Sequence, residues 1–124
     1  MGKRILLADD SPVLQSLTKK ILEVQGYAFQ GVKNGGKVIE LIETGDFDLL
    51  ILDIILPDAN GMELAREIRK SKDPHVASLP IIGISGNYMN YSDADFADAG
   101  MNKFLLKPLN YDELLVAIKT LIEV

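Results

Sequence analysis

The chain has 124 residues, no cysteine and a formal net charge of −5, from 13 basic and 18 acidic side chains. That length suits one domain, which buries roughly two-thirds of its unfolded surface and needs no covalent staple. The composition excludes a disulfide framework or thiolate metal site, and the acidic balance argues against direct nucleic-acid binding, which needs a basic face to neutralise phosphates.

A hydrophobic share of 48% with 25% charged residues is ordinary for a soluble globular domain. No segment approaches the ~20 apolar residues that cross a bilayer. Met1-Gly2-Lys3-Arg4 leads at once into a short apolar run, without the longer stretch of a signal peptide. A cytoplasmic location without a membrane partner is the expectation.

Arg4 to Ala8 reads as the first strand. Ser11 and Pro12 then supply an N-cap and a first helical residue. Leu14, Leu17, Ile21 and Val24 follow at helical spacing, and Gly26 ends that helix. Tyr27 to Val32 alternates weakly and predicts a second, less buried strand. Asn34-Gly35-Gly36 breaks the chain before a second helix through Val38, Leu41 and Ile42, which stops near Gly45.

Asp48 to Leu52 is the third strand, inside the run Leu49-Leu50-Ile51-Leu52-Asp53-Ile54-Ile55-Leu56-Pro57. A continuous apolar run of this kind predicts a strand buried on both faces. An ionised Asp there is costly unless the strand ends and the carboxylate meets solvent or a partner. Pro57, with no N–H for a ladder, supports that end. Pro57 to Gly61 is dense in turn formers, and Asn60 is placed to cap a third helix through Met62, Leu64, Ala65 and Ile68.

Ser71 to Leu79 reads as a polar loop holding His75, the only histidine. Pro80 to Ser85 is a fourth strand, broken by Gly86-Asn87. Tyr88 to Ala99 is assigned as a fourth helix, with Phe96 and Ala97 inward, although Ser92, Asp93, Asp95 and Asp98 suit a helix interior poorly. Lys103 to Leu106 is a short fifth strand stopped by Lys107-Pro108. Asn110 and Glu113 resemble a capping box, and Leu114, Ala117, Ile118 and Leu121 make the last helix.

Five βα units in succession predict an α/β fold with a parallel sheet covered on both faces. Right-handed crossovers make the flavodoxin-like (βα)5 arrangement, strand order 2-1-3-4-5, the natural topology. Residues just past the strand ends then gather on one sheet edge: Asp9 and Asp10, Asp53, Ser85 and Lys107. Singly, these residues read as a helix cap, a turn residue or a surface cation. Together they place carboxylates, a hydroxyl and an ammonium around the switch point between strands one and three.

Carboxylates held together repel, at ~5 Å and an effective dielectric of ~20 by on the order of 3 kcal/mol per pair. A hard divalent ion such as Mg²⁺ offsets this and keeps positions open for phosphate oxygens. Lys107 adds a point charge and Ser85 a hydrogen-bond donor, both suited to a phosphoryl group. With no stronger nucleophile nearby, a carboxylate beside Mg²⁺ is itself a phosphoryl acceptor. The chemistry suggested is an aspartyl phosphate on Asp53.

The motifs L-L-A-D-D-S-P, L-I-L-D-I-I-L-P-D-A-N-G, P-I-I-G-I-S-G-N and F-L-L-K-P, at this spacing, resemble those of response-regulator receiver domains. The likeness runs from Ile5 to Ile122, so that residues 1–124 are expected to form one receiver domain. It is similar to the single-domain chemotaxis regulator and to receivers of hybrid histidine kinases. The resemblance implies Asp53 as phosphoacceptor from a phosphohistidine on a histidine kinase or histidine phosphotransfer protein. It implies direct Mg²⁺ ligation by Asp10, water-mediated ligation by Asp9, and a ligand from the Ile55 backbone carbonyl, with Mn²⁺ able to substitute. Ser85 and Lys107 would hold the phosphoryl oxygens, Phe104 would turn inward on activation, and Lys107–Pro108 would be cis.

The resemblance further implies a signalling protein that catalyses only its own phosphorylation and dephosphorylation. Its output would pass to a separate effector protein, from a monomer or a phosphorylation-dependent dimer. Phosphorylation adds roughly −1.5 to −2 charge. Ser85 would be drawn to the phosphoryl and Phe104 would fill the vacated space, reshaping the surface of the fourth helix, fifth strand and fifth helix. The sparse apolar content of Tyr88 to Ala99 fits an element of low local stability. Ile55 is apolar where several members are polar, Ser85 replaces the commoner threonine, and Gly86-Asn87 follow it. These positions flank the path of the hydrolytic water in the family and bear on the lifetime of the phosphoryl group.

A phosphohydrolase of the haloacid-dehalogenase type would carry a second Asp two residues after the nucleophile, where this chain has Ile55. Flavodoxin-like or Rossmann cofactor binding would need a phosphate cradle such as G-x-G-x-x-G after the first strand, where Asp9-Asp10 stands. A pseudo-receiver that only docks would share the fold but has often lost an acidic residue or the lysine, all retained here. His75 beside Pro74 reads as a solvated loop residue rather than a phosphorelay histidine.

Overall fold

A computed structural model describes residues 2–86 and 91–123. Its elements, in chain order, are β1 (Arg4–Ala8), α1 (Pro12–Val24), β2 (Ala28–Val32), a 3₁₀ turn (Gly35–Lys37), α2 (Val38–Thr44) and β3 (Leu49–Asp53). There follow β4 (Ile55–Leu56), β5 (Ala59–Asn60), α3 (Gly61–Arg69), α4 (Pro74–Ala77), β6 (Ile81–Ser85), α5 (Asp93–Asp98), β7 (Lys103–Leu106) and α6 (Tyr111–Ile122). The five longer strands form a parallel sheet ordered β2-β1-β3-β6-β7. With the β4–β5 hairpin set aside, this is the flavodoxin-like 2-1-3-4-5 order expected.

Strand alternation divides the core between the two sheet faces. Leu6, Ala8, Leu50, Leu52 and Ile81 pack with Val38, Ile42, Met62, Ala65, Ile68 and Phe96, which come from α2, α3 and α5. Ile5, Leu7, Leu49, Ile51, Ile82 and Ile84 pack with Leu22, Leu114, Ala117 and Ile118 of α1 and α6. β3 lies in the middle and is buried at all five positions, so its apolar run serves both cores. Each of its Leu and Ile side chains contributes about 1.5–3 kcal/mol on burial, which fixes the register of the strand that ends in Asp53.

Helix starts follow their caps. Ser11 Oγ accepts from Leu14 N–H at 3.2 Å, and Asn60 Oδ1 accepts from Met62 N–H at 2.8 Å. Asn110 Oδ1 accepts from Glu113 N–H at 3.1 Å. The reciprocal capping box, which the sequence suggested at Asn110, is formed at Ser92 and Asp95 on α5.

Further expectations need correction. The inward stripe of α1 runs through Thr18 and Leu22, while Leu17 is 46% and Val24 82% exposed. A polar residue takes the core position because Thr18 Oγ1 meets Tyr111 Oη of α6 at 2.8 Å, and apolar periodicity passes over it. The polar stretch after α3 holds α4, which Asp73 caps by accepting from His75 N–H at 2.9 Å. His75 therefore stands on a short helix, with Nε2 3.0 Å from the Phe47 carbonyl. Finally, α5 covers only Asp93–Asp98 of the predicted Tyr88 to Ala99 helix, and it buries Phe96 while Ala97 is exposed. Its first part and Asn87 lie outside the described residues.

Candidate functional site

The parallel register brings the carboxyl ends of β1, β3, β6 and β7 side by side. Asp53 closes β3 opposite Ile84, and Ser85 closes β6 opposite Leu106. Asp9 follows β1 and is tied to β2 by its N–H, which donates to Val32 O at 3.0 Å. Lys107 N–H donates to Ser85 O at 2.9 Å, continuing the ladder one residue beyond β7. Buried apolar strands thus deliver polar termini to a single edge.

Lys107 Nζ sits between two carboxylates, 2.6 Å from Asp9 Oδ2 and 2.9 Å from Asp53 Oδ2. Asp53 Oδ1 accepts from Ile55 N–H at 3.0 Å, and Asp9 Oδ1 accepts from Ser11 N–H at 2.8 Å. Asp9 and Ser85 are fully buried, Asp53 is 4% exposed, and Asp10 is open to solvent. The ammonium contact on Asp9 Oδ2 does not have hydrogen-bond geometry, so that buried oxygen has an ion partner but an unfilled acceptor site. Lys107 is held above its ordinary pKa: burial pulls it down, but the close contacts and charges of Asp9 and Asp53 outweigh that.

Asp53 is raised above the ordinary carboxylate value, with burial the largest cause and Asp9 adding to it, against the lowering effects of Lys107 and Ile55 N–H. A carboxyl raised in the folded state stabilises the fold below its unfolded pKa, and that stability is lost as pH rises through the folded value. The metal-free protein is therefore strained at neutral pH by Asp53 ionisation. Asp53→Asn, neutral at every pH, is expected to raise the thermal midpoint at pH 7 by roughly 4 °C, or about 1 kcal/mol. The gain should close as the pH is lowered, and a scanning calorimetry series without divalent ions checks it.

One oxygen from each of Asp9, Asp10 and Asp53 lies within 4.8 Å of the others. Three carboxylates against one ammonium leave the cluster with excess negative charge, and every donor is a hard oxygen. Together with the unfilled acceptor site on the ion-paired Asp9 Oδ2, that donor set fits a hard divalent cation.

Phe104, on β7, stacks on Phe96 of α5 with ring centroids 3.9 Å apart and planes 6° from parallel. Tyr91 packs on Phe96 at 5.8 Å and receives a long hydrogen bond, 3.4 Å, from Asn60 Nδ2 at the start of α3. The exposed Ile55 stands at the mouth of the site. Asp58 accepts from Gly35 N–H at 2.7 Å and Gly36 N–H at 3.0 Å, joining the hairpin after Asp53 to the 3₁₀ turn. Those bonds, Gly35's foremost, hold its carboxyl below the usual range. The sequence marked Asp58 and the two glycines only as turn formers, and nothing in linear spacing shows that they meet.

Residues 5–119 match the family model described as the response regulator receiver domain, and the chain belongs to that family. Among curated relatives, it is 35% identical over 113 residues to the CAI-1 autoinducer sensor kinase/phosphatase CqsS of Vibrio cholerae, covering 91% of this chain and 16% of that protein. It is 33% identical over 120 residues to the sensor protein EvgS of Escherichia coli K12, covering 97% of this chain and 10% of EvgS.

Across the first eight curated relatives, the chain spans between 10% and 51% of their length. The receiver domain of sensor histidine kinase PA1611 from Pseudomonas aeruginosa PAO1 superposes with a TM-score of 0.88 at 30% identity over the whole of both chains. That structure holds a magnesium ion in its active-site cleft. A CheY-like receiver from Methanospirillum hungatei gives 0.87 at 32% identity, over 97% of this chain and 93% of that one.

Proposed function

We propose that residues 1–124 act as one phosphoacceptor receiver domain in two-component signalling. The observation that carries this reading is the Lys107 ammonium, set between the buried carboxylates of Asp9 and Asp53 at 2.6 and 2.9 Å. In the proposed reaction an oxygen of Asp53 attacks the phosphorus of a phosphohistidine on a histidine kinase or phosphotransfer protein. The P–N bond breaks, its electron pair returns to the imidazole, and an aspartyl phosphate remains. Lys107 balances charge on the transferring oxygens, and Ser85 at the adjacent strand end donates to them.

Asp9, Asp10, Asp53 and the Ile55 carbonyl are the groups that would hold Mg²⁺ or Mn²⁺. When bound, the ion supplies charge neutralisation for the phosphoryl oxygens. The magnesium ion in the PA1611 receiver is consistent with this assignment.

The output proposed is a change at α5, β7 and α6, with Ser85 drawn toward the phosphoryl and Phe104 leaving its stack on Phe96. A groove of about 670 Å³ between β7 and α6, lined by Lys103, Leu105, Val116 and Leu121 among others, lies on that face. It would receive an effector protein or a second phosphorylated copy. No helix of the described residues is long and apolar enough to cross a membrane, and the proposed place of action is the cytoplasm.

Phosphoramidate, a small P–N donor, tests the reading. Intact mass should rise by one phosphoryl group in Mg²⁺ and not in EDTA. Equal gain in both would remove the cation from the reading, and no gain in either would favour a docking-only module.

A further inference from the structure

We propose that Gln15 is a positioning residue for the acidic pair, and that Gly31 on the neighbouring strand is the notch that admits its side-chain amide. This rests on the reading of Asp9 and Asp10 as cation-holding groups.

Four contacts hold Asp9. Its N–H donates to Val32 O at 3.0 Å, and Oδ1 accepts from Ser11 N–H at 2.8 Å. Oδ2 faces Lys107 at 2.6 Å, and the main-chain carbonyl accepts from Gln15 Nε2 at 2.9 Å. Gln15 is the α1 residue that reaches back over the β1–α1 turn to hold that carbonyl.

The same Nε2 lies 3.1 Å from Val32 O and 3.2 Å from Leu7 O. Three carbonyl acceptors from two strands converge on one amide group, which fixes which end of the side chain is the donor. Two protons serve three acceptors, so one bond is shared. The result is a tripod that joins the carboxyl ends of β1 and β2 to α1 at the point where the acidic pair leaves the sheet.

Gly31 makes room for it. A Cβ at position 31 would stand 1.9 Å from Gln15 Oε1 and 2.7 Å from its Cδ. No real Cβ contact is that short, so any side chain there must drive the amide out. The obstructed atoms are the far end of a flexible side chain, so Gly31→Ala costs the fold little while breaking the tripod. Alanine also suits a strand better than glycine does. The pair can therefore be disturbed from two directions, one of them remote from the cation ligands.

The test is Mg²⁺ affinity by isothermal titration calorimetry for the parent, Gln15→Met, Gly31→Ala and the double variant. Circular dichroism and urea midpoints report the fold. Loss of a group that supports a metal ligand typically weakens binding 10–100-fold, and each single variant is expected to lose about tenfold or more. Because both act through the same amide, the double variant should bind no more weakly than Gln15→Met alone.

Parent-like affinity in both singles overturns the inference, as do additive losses in the double. If Gln15→Met does not fold, Gly31→Ala alone decides. A parent that binds no Mg²⁺ brings down the cation reading itself, and the inference with it. Binding in the parent with no change in the variants brings down only the inference.

Discussion

Replacing Arg69 by methionine is expected to lower the thermal midpoint by roughly 10 °C, corresponding to about 3 kcal/mol in a chain of this size. The guanidinium ends α3 and faces main-chain carbonyls instead of a carboxylate. Nε and Nη2 donate to Gly100 O at 3.0 and 2.6 Å, and Nη1 donates to Ala77 O at 3.0 Å and Leu79 O at 2.7 Å. Nη2 also reaches Asn102 Oδ1 at 3.1 Å, and that same oxygen accepts from Ile81 N–H at 2.8 Å.

One side chain thus ties α3 to the turn before β6 and the turn before β7. Charged hydrogen bonds of this kind are worth ~1.5–3 kcal/mol singly, though they do not add in full. Methionine keeps the stem's packing and leaves the carbonyls without their donor. Lysine should recover less than half of the loss, because one ammonium cannot span carbonyls on both sides of a planar fork. Gly100 shares the arrangement: its φ is +94°, and a Cβ there would lie 2.5 Å from Arg69 Cγ. Thermal melts of Arg69→Met and Arg69→Lys measure this, and a midpoint within 2 °C of the parent for Arg69→Met would contradict it.

Lys107→Met should destabilise the protein by roughly 2 kcal/mol in buffer free of divalent ions, and millimolar Mg²⁺ should return most of that. Removing one partner of a buried ion pair typically costs ~3–5 kcal/mol. The lower figure reflects the 26% exposure of the Lys107 side chain. Without the ammonium, the buried carboxylates of Asp9 and Asp53 face each other with no counter-charge, so a cation that binds the folded state stabilises the variant more than the parent. Urea titrations of both proteins with and without Mg²⁺ measure this. Equal midpoints without Mg²⁺ would mean that Lys107 does not hold the cluster together. Asp53→Asn moves stability the opposite way, and the two signs together separate charge balance from general damage.

The sheet was legible because its strands are short, apolar and bounded. The run from Leu49 to Asp53 admits little except a central strand with a carboxylate at its end. Asp9, Asp53, Ser85 and Lys107 were legible as a group because a parallel sheet sends all its strand ends to one edge. Features made by side chains meeting main chain across distant segments were not. Arg69, Gln15 and Asp58 each bond backbone groups whose identity leaves no mark in sequence. The β4–β5 hairpin is built from two-residue strands inside a turn-forming stretch, too short to show alternation. α4 spans Pro74–Ala77, barely one helical turn, too short for an apolar repeat to show. On α1, Thr18 occupies a core position because Tyr111 answers its hydroxyl, a pairing 93 residues away in sequence.

The most direct test of the central claim is intact mass after incubation with acetyl phosphate and Mg²⁺, for the parent and for Asp53→Asn. The account predicts one added phosphoryl group on the parent, and none on a variant that binds Mg²⁺ and melts no lower than the parent. An equal gain on Asp53→Asn, or no gain on the parent, would contradict Asp53 as the acceptor.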